Sequence, residues 1–458
     1  MDRSKQLGET KVSTLLLKFS IPAIVGMMVN ALYNVVDRIF IGNGVDTLAL
    51  GGIQIGFPVM LISMGLAMLI GIGATSLISI KLGEKKKEEA ELVAGNAIVL
   101  LVVISLIVSV VGIIFLEPMI RLLGTTEDIL PYARDYLRII LMGTVFMSIG
   151  FGMNNFIRAE GNPKIAMFTM LIGAILNTIL DPIFIFVFKW GIQGAALATI
   201  ISQMVSAVWV LYYFFSGNSL LKFHAKNMKL NFNIIKGITA IGLAPFSMQI
   251  AASLLQVIMN NSLSEYGNDI AVSAMGAIQS IMMLILMPIF GINQGVQPII
   301  GYNYGAQKYD RVKEALTLAI GAATIVVIMG FAATRLFPEQ LIAMFNKKDT
   351  ELIKLGSHAL LMFFTFLPVI GFQIVSAAYF QAVGKPLQSM VLSLSRQMLL
   401  LIPALLILPR FYGLEGIWYA GPVADFGSAV ITGLWLLKEL KSLQERHDKS
   451  LETQPQPE

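Results

Sequence analysis

Three residues in this chain have the type and spacing to do chemistry where chemistry is costly. Asp37 closes the stretch Tyr33-Asn34-Val35-Val36-Asp37, inside an apolar run from Leu15 to Ile41 that is long enough to cross a bilayer. Asn177 and Asp181 lie inside another such run, four residues apart and so on one face of one helix. Pro182 follows at once and offers no N–H to the carbonyl of Thr178. A carboxylate at membrane depth costs a few kcal/mol on insertion scales, so it has a partner or a task. A face carrying a carboxylate, an amide oxygen and a loosened carbonyl suits a hard cation. A carboxyl taken out of water also holds a proton more readily than one in water, and two together can share one. The plainer reading is that these groups only tie helices together through hydrogen bonds.

The elements that position these residues are membrane spans. The chain has 458 residues, 56% hydrophobic and 13% charged, with a mean hydropathy of +0.75. A soluble domain of this composition would carry a mostly apolar surface. Apolar runs predict twelve spans: 15–41, 51–80, 92–116, 134–157, 165–188 and 191–215, then 236–264, 273–301, 314–337, 354–381, 387–408 and 415–437. The fold class is therefore an all-α polytopic membrane protein. The longest polar stretch, Ser216 to Asn233, reads as a linker between two halves. This gives an N-terminal lobe over 1–216, a linker over 217–233, a C-terminal lobe over 234–441 and a disordered tail over 442–458.

With twelve spans, both termini and the even-numbered connections share one side. That side collects more than twice as many Lys and Arg as the other, with only Arg396 deep inside a span. The positive-inside bias places both termini in the cytoplasm of a multi-pass protein of the cell membrane. The net charge of +5 is then a topology signal, and no nucleic-acid partner is expected. No cysteine is present, so disulfides and thiolate metal sites are excluded. The sequence contains no GxxxxGK[ST] and no HExxH, which argues against an ATP-driven pump and against a metal-dependent intramembrane enzyme.

The halves repeat. Pro22 and Pro245, Ala159 and Ala382, Gly161 and Gly384, and Pro163 and Pro386 are each 223 residues apart. Gly83 and Gly305, and Gly191 and Gly413, are 222 apart. Six spans per repeat make the halves parallel in topology, with a pseudo-two-fold axis along the membrane normal and a cavity between two bundles.

On Pro22, the Tyr33–Asp37 stretch, Arg-Ala-Glu-Gly at 158–161, Asn177 with Asp181-Pro182, and the repeat offset, the chain resembles the MATE (multidrug and toxic compound extrusion) transporters. The likeness covers Leu15 to Leu440 and is strongest to their MepA-like and DinF-like branches. It implies the MATE fold, twelve transmembrane helices in two pseudo-symmetric six-helix bundles. It also implies a secondary active antiporter that exports amphipathic organic cations, drugs and dyes among them, in exchange for H+ or Na+. By the same resemblance Asp37, Asn177, Asp181 and Thr199 form a cation site in the N-terminal half, with Asn154 or Asn155 supplying an amide from the fourth span. No cofactor, and no metal beyond Na+ at Asp37 and Asp181, is implied. Pro22 becomes a bending point for the first helix. NorM-like members carry acids in the seventh and tenth spans; Gln256 and Gln373 stand in those regions here, so the ion site is expected in the N-terminal half.

A cavity taking flat, greasy cations favours adaptable methionines and aromatic faces. The candidates near Asp37 are Tyr33, Met64, Phe151 and Met153, with Met287 and Tyr379 across the cleft. Ordinary packing or lipid contact is the competing reading for each. Arg396 and Asp425 are expected to pair across spans eleven and twelve as a strut. A monomer in membrane lipid is expected, and no enzyme activity. The alternative function is a flippase for a lipid-linked precursor, which would need several Arg or Lys lining its cavity to hold phosphates.

Overall fold

A computed structural model describes residues 4–45, 47–347 and 349–452. Arg3, Lys348 and the end of the tail, residues 453–458, lie outside the described residues. We number the spans α1 (Val12–Gly44), α2 (Thr47–Gly83), α3 (Lys87–Ile114), α4 (Leu130–Ala159), α5 (Pro163–Pro182) and α6 (Gly191–Phe215). The second half follows as α7 (Phe232–Tyr266), α8 (Asp269–Gly305), α9 (Tyr309–Leu336), α10 (Thr350–Phe363 and Leu367–Ala382), α11 (Pro386–Tyr412) and α12 (Leu414–Glu452).

Eleven of these are single helices long and apolar enough to cross a membrane; α10 makes the twelfth from two helices bent by 52°. The bend has a local cause, since Pro368 has no N–H for the carbonyl of Phe364 and the chain turns there instead. The fold is all-α, two six-helix bundles built on the repeat. α1 runs unbroken through Pro22. The last helix extends to Glu452, so the stretch from Ser442, expected to be disordered, is helical as far as it is described. Short helices at Leu116–Leu122 and Pro338–Ala343 had no apolar periodicity of their own and went unread in the sequence.

The repeat is visible in the backbone. Gly161 and Gly384 both end a span with positive φ (93° and 73°), which only glycine adopts freely, and a proline starts the next span two residues later. Lys85 and Gln307, neither of them glycine, share φ of 60° and 59° at matching turns.

The two bundles meet where α1 packs on α8 and α2 on α7, and where α2 crosses α8. The crossing obeys the pseudo-two-fold: a Cβ at Gly83 would fall on the Tyr302 carbonyl, and one at Gly305 on the Ile80 carbonyl. Gly73 and Gly242 make the same kind of approach between α2 and α7, and Gly291 and Gly295 lie against Ile24 and Ser20 of α1. All these contacts lie in the half of the molecule that carries the termini. A short helix, Lys5–Glu9, fastens the seam from outside. Its Gln6 side chain donates to Gly161 O of the first lobe at 2.7 Å. From the second lobe, Asn303 donates to Leu7 O at 2.9 Å, Lys308 to Gly8 O at 2.8 Å and Arg311 to Thr10 O at 2.5 Å.

The linker is pinned under the first lobe. Buried Glu160 accepts from the Tyr213 hydroxyl, from Ser219 Oγ at 2.6 Å and from Leu220 N–H at 2.9 Å. Burial pushes the Glu160 carboxyl above the ordinary carboxylate range, opposed by these donors. Asn96 of α3 donates to the carbonyls of Asn227 and Lys229 and accepts from Asn231 N–H.

Candidate ion and cargo site in the N-terminal lobe

α5 presents Asn177 and Asp181 inward on one face, and at Pro182 its backbone passes into a π-helical turn over Ile183–Val187. Such a turn widens the helix where the proline has removed a donor. Asp181 is wholly buried and Asn177 nearly so. Asn177 Nδ2 lies 3.3 Å from Asp181 Oδ1 and 3.5 Å from Thr199 Oγ1 of α6, whose hydroxyl donates to Ala195 O at 3.1 Å. The Asp37 carboxyl of α1 lies within hydrogen-bonding reach of Asp181. Four residues on three helices therefore converge in the half of the lobe far from the termini. Asn177 Oδ1 and Asp181 Oδ2 are buried acceptors with no protein partner. The donor set is oxygen only, with a surplus of acceptors, which fits a hard cation or a proton and nothing softer. One turn further out, Phe40 and Phe186 meet edge to face at 6.2 Å, a contact the sequence did not suggest.

Asn154 and Asn155 do not join this group. Asn154 donates to Ala166 O at 2.7 Å, and Asn155 accepts from Arg158 at 2.7 Å. Ala166 and Asp181 are fifteen residues apart on α5, which at 1.5 Å per residue is about 22 Å. Both asparagines stand at the termini end of the lobe, where they join α4 to α5 and hold a buried arginine.

The cargo candidates divide. Met64 is 37% exposed, and Tyr33, Phe151 and Met287 are half-buried. Met153 is wholly buried and packs in the apolar core with Leu101 and Phe156. Tyr379 is also wholly buried, and its hydroxyl donates to Glu439 at 3.0 Å, beside the Lys385–Glu439 ion pair near the termini. These two do not line the cleft. In the second lobe, Arg396 Nε donates to Asp425 Oδ1 at 2.6 Å, with the carboxylate wholly buried. Arg396 sits in a second π-helical turn, Ser395–Leu401, in the span that repeats α5.

The chain matches known proteins over nearly their whole length. The MatE family model matches residues 22–183 and again 246–407, one match per half. The chain belongs to the MatE family of transporters. It is 28% identical to the multidrug export protein MepA of Staphylococcus aureus over 410 residues, 90% of each chain. Among solved structures, it superposes on a ligand complex of the MATE multidrug transporter DinF-BH with a TM-score of 0.88 at 43% identity, covering 94% of this chain and 96% of that one. An outward-facing MATE transporter of the MOP superfamily gives a TM-score of 0.90 at 25% identity, covering 96% and 98%. This MatE chain is thus a multi-pass membrane transporter.

Proposed function

We propose that this MatE chain is a secondary active multidrug antiporter, exporting amphipathic organic cations in exchange for H+ or Na+. The observation that carries the reading is the contact between Asp37 and Asp181, beside two buried oxygens that nothing in the protein satisfies. Two carboxyls in contact, one wholly buried and one half-buried, cannot both stay charged without compensation. A proton shared between them supplies it, and so does a sodium ion among the oxygens of Asp37, Asp181, Asn177 and Thr199. A cationic cargo competes for the same negative charge, so ion and cargo exclude one another. Alternating exposure of that one site to the two sides makes the exchange an antiport.

The close backbone approaches between the lobes lie at the termini end, and we read the far end as the one open to the outside when the termini are cytoplasmic. The basic loops on the termini side support that orientation in the cell membrane. The flippase alternative would need a basic cleft, whereas the one arginine deep in a span is already bonded to Asp425.

The test is transport of a fluorescent cationic dye in vesicles of known orientation, with a proton gradient or a sodium gradient imposed separately. One gradient drives uptake, and Asp37→Asn and Asp181→Asn each lower the rate by more than about tenfold, as loss of a charge-assisted contact implies. Absence of dye movement under both gradients, with the protein folded and inserted, would sink the exporter and bring the flippase forward.

A further inference from the structure

The face of α7 that packs on α2 does not end where the lobes part. Ile238, Gly242, Phe246 and Gln249 lie against α2, at steps of three and four. The same steps continue through Ser253, Gln256, Asn260 and Ser264, so these side chains share that face. Beyond Gln249 no helix covers them: Gln256, Asn260 and Ser264 are exposed, and Gln256 Nε2 donates to Asn260 Oδ1 at 3.1 Å. The lipid is met elsewhere, by the apolar stripe of Leu243, Ile250, Leu254 and Val257. A polar stripe about a quarter-turn away on the same helix, continuing the face that meets the other lobe, belongs to a water-filled cleft.

α8 behaves alike. Its face that packs on α1 at Gly295 and Gly291 continues as Leu284, Ser280 and Gly276, all exposed, and a Cβ at Gly276 would meet nothing within 4 Å. The second lobe therefore lines the cleft with carboxamides and hydroxyls from α7 and with small or apolar residues from α8. Between Gln249 and Ser264 this α7 face carries no charge. Asn260 stands 223 residues after Asp37, the offset that relates Pro22 to Pro245. Where one lobe has a carboxyl, the other has a neutral amide.

We propose that Gln256 and Asn260 form a neutral hydrogen-bonding subsite that selects the end of the cargo opposite its charge. The cargo class is then monocations bearing a carbonyl, ether, hydroxyl or N–H group remote from the cationic centre. A carboxamide donates and accepts, and so engages such a group in either sense. It offers no counter-charge to a second positive centre, which would give up part of its hydration against this wall with no carboxylate to answer it. Dications are excluded by this wall. The proposal rests on the exporter reading above and adds the cargo's second recognition point to it.

The experiment uses the full chain in proteoliposomes and three probes. Rhodamine 6G is a monocation with an ester carbonyl and N–H groups, tetraphenylphosphonium a monocation with no hydrogen-bonding group, and decamethonium a dication. The double variant Gln256→Leu/Asn260→Leu raises the half-saturating concentration of rhodamine 6G about fivefold more than that of tetraphenylphosphonium, the worth of one neutral hydrogen bond. Asn260→Asp, and separately Gln256→Glu, gain decamethonium transport that the wild type lacks. Equal effects of the leucine pair on both monocations overturn the subsite. So does failure of both acidic variants to move decamethonium while still moving tetraphenylphosphonium. If neither acidic variant reaches the membrane, the leucine pair decides alone. A wild type that moves neither monocation sinks the exporter reading itself, an outcome separate from both.

Discussion

Two buried carboxyls, Asp181 and Asp425, show how a neighbour decides what a residue can do. Asp181 faces another acid and an amide, and keeps an acceptor open. Asp425 also leaves its Oδ2 without a partner, but it faces Arg396 at 2.6 Å, so its charge is already answered. Removing one partner of a buried pair leaves the other's charge stranded, whereas replacing both by apolar groups of similar volume removes the problem. Arg396→Met alone is therefore expected to lower stability by about 3–5 kcal/mol, and Arg396→Met with Asp425→Leu to recover most of it. Thermal unfolding in detergent measures both, and equal losses in the single and double variants would refute the strut. The acids were legible in the sequence because a carboxylate inside a span is rare enough to need a reason. Asn154, Asn155, Met153 and Tyr379 were not, because an amide, a thioether or a phenol reads the same whether it faces a cavity or a neighbour's carbonyl. Only the direction of the helix face separates the cases, and several candidates sat on helices whose neighbours the sequence did not name.

At the scale of the helix, the seam is set by glycine. Gly83 and Gly305 allow α2 and α8 to touch backbone to backbone, each where a Cβ would strike a carbonyl. The offset of 222 marked both glycines in the sequence, but periodicity gave no hint that they meet each other. Nor did it foresee the two π-helical turns, which depend on hydrogen bonds shifting by one residue and not on residue type alone. Gly83→Leu is expected to hold the termini end of the seam apart and to slow transport. The protein has no cysteine, so spin labels at Glu88→Cys and Asp310→Cys report that distance cleanly. A distance unchanged by Gly83→Leu would show that the crossing does not control closure.

For the whole molecule, twelve spans, the two-fold repeat and the family were all legible, because each is written many times over: in every apolar run, every basic loop and every paired glycine. What the sequence could not show was where the lobes stay in contact. That depends on which stretch of each helix is covered, a matter of a few side chains per turn. The outward-open reading proposed above leads to a simple expectation for intact cells. A membrane-impermeant thiol reagent added outside labels Ser280→Cys on the cleft wall and leaves Ser79→Cys, wholly buried at the seam, unlabelled. The reverse pattern would mean that the chain sits in the membrane the other way up.

The short helix at the start of the chain has a consequence for how the protein is made. Leu7 and Asn303, bonded to each other, are 296 residues apart in sequence. When Leu7 leaves the ribosome, the residues that will hold it do not yet exist, and most of α1 to α8 must be synthesised and inserted before they do. This helix is thus among the last segments to dock, since its full set of contacts requires both lobes to be in place. A chain stalled after the linker would carry a complete acid site and a loose N-terminus. Docking of Lys5–Glu9 therefore reports that the two halves have come together.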